Sequence, residues 1–288
     1  MGEQPMALRR EPTARQTRLA TELRRLREAA GLSAREAAAL LGVSPVQISH
    51  IESALAGVSE DRLRRLAANY ACTDSELIDM LVAMATERTR GWWEEYRGLL
   101  PATYLDLAEL EHHAVFRRDV AVIHVPGLFQ TEDYARALFT YMNPEFPGTE
   151  VSRRVDHRMQ RKVIVEGPDP IPYETVIHEA ALRIRVAGRA ATRAQLVRVL
   201  EMSDADHVTV RVIPFALDDF AGAGSTMVHL GGPLPRLDTV VRDAPHGTAF
   251  LDGEAQLEHF RRLFRRVRDG SLAPEPSRDL IHQLTKEL

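Results

Sequence analysis

Cysteine is almost missing: the 288 residues contain one, Cys72. No intrachain disulfide can form and no CxxC pair exists, which excludes a disulfide-stapled scaffold and fits a reducing cytoplasm. Lysine is nearly as scarce, with only Lys162 and Lys286, so almost all of the 37 basic residues are arginine. Arginine is the cation that forks onto carboxylate, phosphate or guanine. No run of about 18 apolar residues occurs, so no membrane-spanning helix is expected. The first residues, MGEQPMALRREPTARQ, lack the apolar stretch of a secretion signal, and Met6 stands where a myristoylation motif needs Ser or Thr. A cytoplasmic protein with no membrane association is the expectation.

What is present suits two globular domains: 44% hydrophobic and 27% charged residues over a length too great for one small core. The net charge is −4, but residues 1–30 hold seven arginines against four glutamates. A basic end on an acidic body is the asymmetry expected when one small module faces phosphate.

Residues 16–30 place Leu19, Leu23 and Leu26 on one helical stripe, with Gly31 as terminator. Ser33 and Glu36 form a capping box for a short helix, AREAAALL, that stops at Gly42. Ser44 opens a third helix with Pro45 at its first position; Ile48 and Ile51 point inward, leaving Pro45, Val46, Gln47, Ser49 and His50 outside. A fourth helix follows Ser59 and a fifth follows Thr73, with Glu76 as the partner of a further capping box. Two short helices joined by a glycine turn, the second presenting an exposed polar start, form a helix-turn-helix whose second helix enters the major groove. Gln47 either caps its own helix or reads a base. Val46 either meets a thymine methyl or is a surface valine.

The segment ELRRLREAAGLSAREAAALLGVSPVQISHIES resembles the XRE/Cro repressor-type helix-turn-helix in its Leu-Arg-x-x-Arg-x-x-x-Gly-Leu-Ser run followed by Ala38, Gly42, Val43, Ser44, Ile48, Ile51 and Glu52. The sequence departs from that pattern at Ala34, where Gln or Glu is usual, and at His50, where Arg or Gln is usual. The resemblance implies a double-stranded DNA operator, a homodimer, and contacts from Arg24, Ser33, Arg35, Ser44, Pro45, Val46, Gln47, Ser49 and His50.

A second core begins where GWWEEYRGLLPATY gathers two tryptophans and two tyrosines. Helices are expected over 105–116, 130–142, 151–164, 192–201, 254–270 and 277–288. Strands are expected over 121–129, 174–182, 207–215, 226–230, 238–244 and 248–252. The reading is an all-α five-helix N-terminal helix-turn-helix domain followed by a larger α+β C-terminal domain, divided as a tail at 1–15, the DNA-binding domain at 16–85 and the second domain at 86–288. WWEEYRGLLP, VPGLFQTEDYARAL, HRMQRK, HEAALR and VTVRVIPF are similar to the C-terminal domain of a group of actinobacterial XRE regulators described as antitoxin-like. That resemblance implies a small co-encoded protein or a small-molecule effector as partner. Trp92, Trp93, Tyr96, Leu128, Phe129 and Tyr134 are the candidate residues, either at the edge of a binding groove or simply core.

Catalytic and metal signatures fail on spacing. HEAAL at 178–182 lacks the second histidine of H-E-x-x-H, and adjacent His112 and His113 point apart on a helix. DADH at 204–207 reads as a turn, and GAGST at 222–226 lacks the lysine of a phosphate loop. The arginines of RRLFRRVR at 261–268 lie outside an apolar stripe and read as solvated or paired. No enzyme activity, cofactor or metal is expected. Three roles compete: a regulator that senses a partner or effector, an antitoxin whose DNA binding serves autoregulation, and an enzyme tethered to DNA.

Overall fold

Short polar residues open each of the first five helices. The computed structural model describes residues 11–87, 90–218, 225–244 and 247–288. Helix α1 (Ala14–Ala29) is capped by Thr13, whose hydroxyl accepts from the Gln16 N–H while the Gln16 side chain returns to the Thr13 N–H. This cap starts the helix two residues ahead of the expected Gln16. Residues 1–10 of the expected tail lie outside the described residues. Helices α2 (Ala34–Leu41), α3 (Pro45–Glu52) and α4 (Glu60–Asn69) start after Ser33, Ser44 and Ser59 as the sequence predicts. The fifth helix, α5 (Ser75–Thr86), differs: its cap is Asp74, whose carboxylate accepts from the Leu77 N–H at 3.0 Å, in place of Thr73. An ionised cap at a helix start also opposes the positive end of the macrodipole, which a threonine does not. Leu23, Ala37, Ile48, Leu63, Leu66, Leu77 and Leu81 fill the core of this unit.

The chain divides into two compact units between Gly91 and Trp92. The second begins with a 3-10 turn at Trp92–Tyr96, then α6 (Ala102–His112), β1 (Phe116–Ala121) and another 3-10 turn at Gly127–Phe129. Helices α7 (Glu132–Met142), α8 (Gly148–Gln160) and α9 (Val163–Glu166) lead to β2 (Tyr173–His178). Then come α10 (Glu179–Arg183), α11 (Gly188–Met202), β3 (Val208–Ile213) and β4 (Met227–Gly231). The described elements end with β5 (Thr239–Ala244), β6 (Gly247–Leu251), α12 (Glu254–Gly270) and α13 (Pro274–Glu287).

The strands form one mixed sheet in the order β3-β2-β1-β4-β5-β6. β1, β2 and β3 run parallel and β4, β5 and β6 are antiparallel. One face carries Tyr173, Ile177, Val208, Val210 and Val212 against α7, α11 and α13. The opposite face carries Val120, Val176, Met227 and Val240 against Leu257, Phe260, Phe264 and Val267 of α12. The arginine-rich helix thus lays its apolar stripe on the sheet; Glu258 outside it pairs with Arg262 and Arg265. With the five-helix unit before it, the chain is all-α followed by α+β.

Two expected elements move. The apolar run 121–129 is not a strand. The strand is the charged FRRDVA immediately before it, and Val125, Leu128 and Phe129 are buried as a loop and 3-10 turn. Arg117 and Asp119 of β1 hide the alternation because both are buried. Arg117 donates two hydrogen bonds to Asp119, at 2.9 and 2.8 Å, and one to Glu111 of α6. Arg161 forks onto the same Glu111 at 2.8 and 2.6 Å, and the Tyr173 hydroxyl donates to Asp119 at 2.7 Å. The second element is 174–182, which changes from strand to helix at His178. There the imidazole Nδ1 accepts from the Ala180 N–H at 3.1 Å and caps α10. Gly222 to Gly224 of the GAGST stretch lie outside the described residues.

Candidate nucleic-acid interface

The turn between α2 and α3 is set by Gly42, whose φ of 75° closes α2 in the left-handed region that glycine enters without strain. The next residues bring Ser44 to the start of α3, where its hydroxyl accepts from the Gln47 N–H at 3.3 Å. Pro45 occupies the first helical position and removes an N–H that has no acceptor there. Ile48 and Ile51 are buried, fixing which way α3 faces. Pro45, Val46 and Ser49 are exposed, Val46 by 60%, while Gln47 and His50 are half-buried beside them.

Gln47 has the position of a capping-box partner, but its behaviour differs from that of its counterparts in α1 and α2. Gln16 and Glu36 turn back onto their cap residues. Gln47 does not, and among the described residues its side chain makes no hydrogen bond. A primary amide with two donors and one acceptor therefore stands at the start of the exposed helix, the arrangement that pairs with the N6/N7 edge of adenine.

Arg27 fixes the attitude of α3. It forks onto Glu52 at the end of α3, with Nε–Oε1 2.7 Å and Nη2–Oε2 2.8 Å, and its Nη1 donates to the Leu32 carbonyl at 2.6 Å. One guanidinium thereby joins α1, the turn before α2 and the far end of α3. Its hydrogen bond to Glu52 raises the Arg27 pKa, and burial pushes the nearby Tyr70 phenol up to about 12. Both Arg27 and Glu52 stand in the sequence pattern, yet 25 residues of separation carry no sign that they touch. Glu52→Gln keeps the shape and removes the charge. It is expected to lower the stability of this unit by about 1.5–3 kcal/mol and to weaken operator binding, read by thermal unfolding and gel shift on the same preparation.

Around α3, Ser33 is exposed but occupied in its capping box, its Oγ donating to Glu36 at 2.7 Å. Arg35 is exposed on α2. Arg24 is exposed and paired with Glu28 at 2.7 Å. A pair this open contributes little and exchanges readily for a phosphate.

The C-terminal candidates have a different setting. Leu128, Phe129 and Tyr134 are fully buried, and the Tyr134 hydroxyl accepts from the Val125 N–H at 3.3 Å. Trp93 and Tyr96 are buried too; only Trp92 of the six is half-exposed, edge-on to both at 6.0 Å. The groove edge expected around these residues is filled core. His112 packs against Trp93 at 5.0 Å, and its ring also meets that of His113 edge-on at 4.9 Å, so the two adjacent imidazoles do not point apart as expected; His207 of the DADH turn has its Nε2 2.9 Å from the Val165 carbonyl. Among the described residues, no helix is long and apolar enough to cross a membrane.

A capped pair of short helices with a free amide and an exposed valine at the start of the second defines a helix-turn-helix, the module of DNA-binding regulators. A family model described as a helix-turn-helix domain matches residues 18–79. A second, described as a domain of unknown function (DUF5753), matches residues 104–283 and so covers more than half of the chain. The chain belongs to that DUF5753 family. No curated protein and no solved structure matches it.

Proposed function

We propose that the protein is a sequence-specific transcription regulator of the XRE type, of the kind found in actinobacteria. It binds an operator as a homodimer, and its C-terminal domain takes a partner protein or an effector. The observation that carries this reading is the free Gln47 side chain at the exposed start of α3, with Val46 uncovered beside it. In this reading Gln47 and His50 meet base edges, Val46 meets a thymine methyl, and Pro45, Ser49 and the Ser44 backbone pack along the groove. Arg24, Ser33 and Arg35 meet phosphates, which position the module without reading sequence.

The test begins with operator duplexes selected from a random pool by the full chain. Gln47→Ala with His50→Ala is expected to cost about 1–3 kcal/mol for each lost base contact while binding to unrelated duplex stays unchanged. A double variant that protects the selected operator as the parent does would overturn the assignment of this face. Equal weakening on operator and unrelated DNA would show that these residues act on phosphate rather than on sequence.

A further inference from the structure

Within the C-terminal unit, a cleft of about 510 Å³ lies between strands β4, β5 and β6 and the N-terminal half of α12. Its apolar walls come from both sides: Met227 and Leu251 from the strands, Phe260 and Leu263 from the helix. Size and lining are those of a pocket that holds a small organic molecule. Three polar side chains converge on it, Arg242 of β5 and Gln256 and His259 of α12.

Arg242 is the unusual member. Val240 and Leu251 stand opposite each other in the β5–β6 register, and both pack on the α12 side of the sheet. Strand residues two apart share a face, so Arg242 points the same way, and its guanidinium lies 5.7 Å from the centre of the Phe260 ring. It is half-buried there, and among the described residues its side chain makes one hydrogen bond, donated to the Ser225 hydroxyl at 2.5 Å. No carboxylate among the described residues pairs with it. Arg118, on the same face from β1, has Glu174 at 3.7 Å. Arg261, Arg262, Arg265 and Arg268 of α12 each reach a carboxylate as well. A cation drawn into an apolar cleft without a counter-charge carries a desolvation cost that an anionic ligand offsets. The side chains of Gln256 and His259, exposed on the helix side of the cleft, also make no hydrogen bond among the described residues.

We infer that this cleft binds a small amphipathic organic anion, its acid head on Arg242 and its apolar body between Leu251 and Leu263. The inference deepens the reading of the C-terminal domain as the place where an effector binds, and it rests on that reading for the site's purpose. The guanidinium offers a planar set of donors to the oxygens of an acid group. Gln256 and His259 add hydrogen-bonding groups at the rim, and Met227 and Phe260 form the apolar floor. Such a site selects an acid over the matching alcohol, and an acid with an apolar body over a bare inorganic anion.

Titration of the full chain, without DNA, with the fluorescent anion anilinonaphthalene sulfonate tests this. One saturable site is expected, from which octanoate displaces the dye and octanol does so about tenfold less well or worse. Arg242→Gln should weaken dye binding about tenfold or more, the loss of a charge-assisted contact, and Arg242→Lys, which keeps the charge, should lose less. Ala255→Trp fills the cleft, leaves its charge in place and should abolish binding; it carries the test by itself if the Arg242 variants depart from the parent's circular dichroism. Arg262→Gln, outside the cleft and paired with Glu258, should bind as the parent does. Absence of a saturable site overturns the inference, and so does binding that survives Ala255→Trp or a folded Arg242→Gln, or that octanol displaces as well as octanoate does. Gel shifts of the selected operator with and without octanoate separate the site from its purpose: an anion that fills the cleft and leaves operator affinity unchanged upholds the site and overturns the effector reading. The operator-binding reading fails separately, through the Gln47 and His50 variants.

Discussion

Glu111→Ala is expected to lower the unfolding free energy of the C-terminal unit by about 3–5 kcal/mol, the range for breaking a buried ion pair from one side. Glu111 is completely buried and is the carboxylate that Arg117 and Arg161 share. Burial alone would raise its pKa, but the charges of Arg161 and Arg117 outweigh that and hold it below the usual carboxylate range. Removing it leaves two guanidiniums without their shared carboxylate, Arg117 keeping Asp119 and the face of the Tyr173 ring. The favourable pairing is not what makes the variant costly; the stranded cations are. Urea unfolding followed by tryptophan fluorescence measures the effect in the full chain, because both tryptophans, Trp92 and Trp93, belong to the C-terminal unit. Glu132→Gln breaks an open pair with Arg136 at 2.8 Å and is the control, with an expected change of about 0.5 kcal/mol or less. Equal losses from the two variants would show that the Glu111 site is wetter than its burial indicates.

The same unit should lose stability as the pH falls from about 6.5 toward 3, and His157 is the main cause above the carboxylate range. Its ring is buried among Trp92, Tyr96 and Tyr104 at 5.1, 5.0 and 5.6 Å, and its Nε2 makes no hydrogen bond among the described residues. Burial, then the positive charges of Arg161 and Arg158, push its pKa down to about 3 from 6.5, against the opposing charge of Glu111. Between those values the unfolded chain holds a proton that the folded one refuses. Stability is therefore fully present above 6.5 and declines by about 1.4 kcal/mol per pH unit below it. His157→Phe keeps the aromatic packing and removes the proton site. Its stability should be flatter than the parent's between pH 6.5 and 5, where ordinary carboxylates are still ionised. Parallel curves for the two proteins in that window would mean that His157 takes its proton in the folded state.

The N-terminal unit was legible because its instructions are local. Ser33, Gly42, Ser44 and Pro45 each act on the backbone within a turn of themselves, so helix starts, stops and the exposed face follow from adjacent residues. Whether Gln47 folds back was not decidable that way, since Gln16 and Glu36 do so from the same position. The C-terminal unit was legible in β3, where apolar residues alternate, and in β5, where β-branched residues cluster, and misleading around β1. FRRDVA is a central strand whose buried charges are satisfied from a distance, Arg117 by Glu111 six positions earlier and Asp119 by Tyr173, 54 positions later. VPGLF is apolar because it is buried, not because it is extended. Trp93, Leu128, Phe129 and Tyr134 looked equally suited to a groove and to a core, and no pattern of residue types separates the two.

The placement of β1 beside β4 also sets an order of assembly. Phe116 meets Gly231 and Val120 meets Met227, so the central strand acquires its second neighbour only after more than a hundred further residues exist. Contacts this distant along the chain form slowly, whereas those within the five-helix unit are close in sequence. During synthesis at about 5–20 residues per second, the helical unit has on the order of ten seconds to fold before β4 has been made. A nascent chain therefore has time to finish its helix-turn-helix unit before β1 can gain its second neighbour.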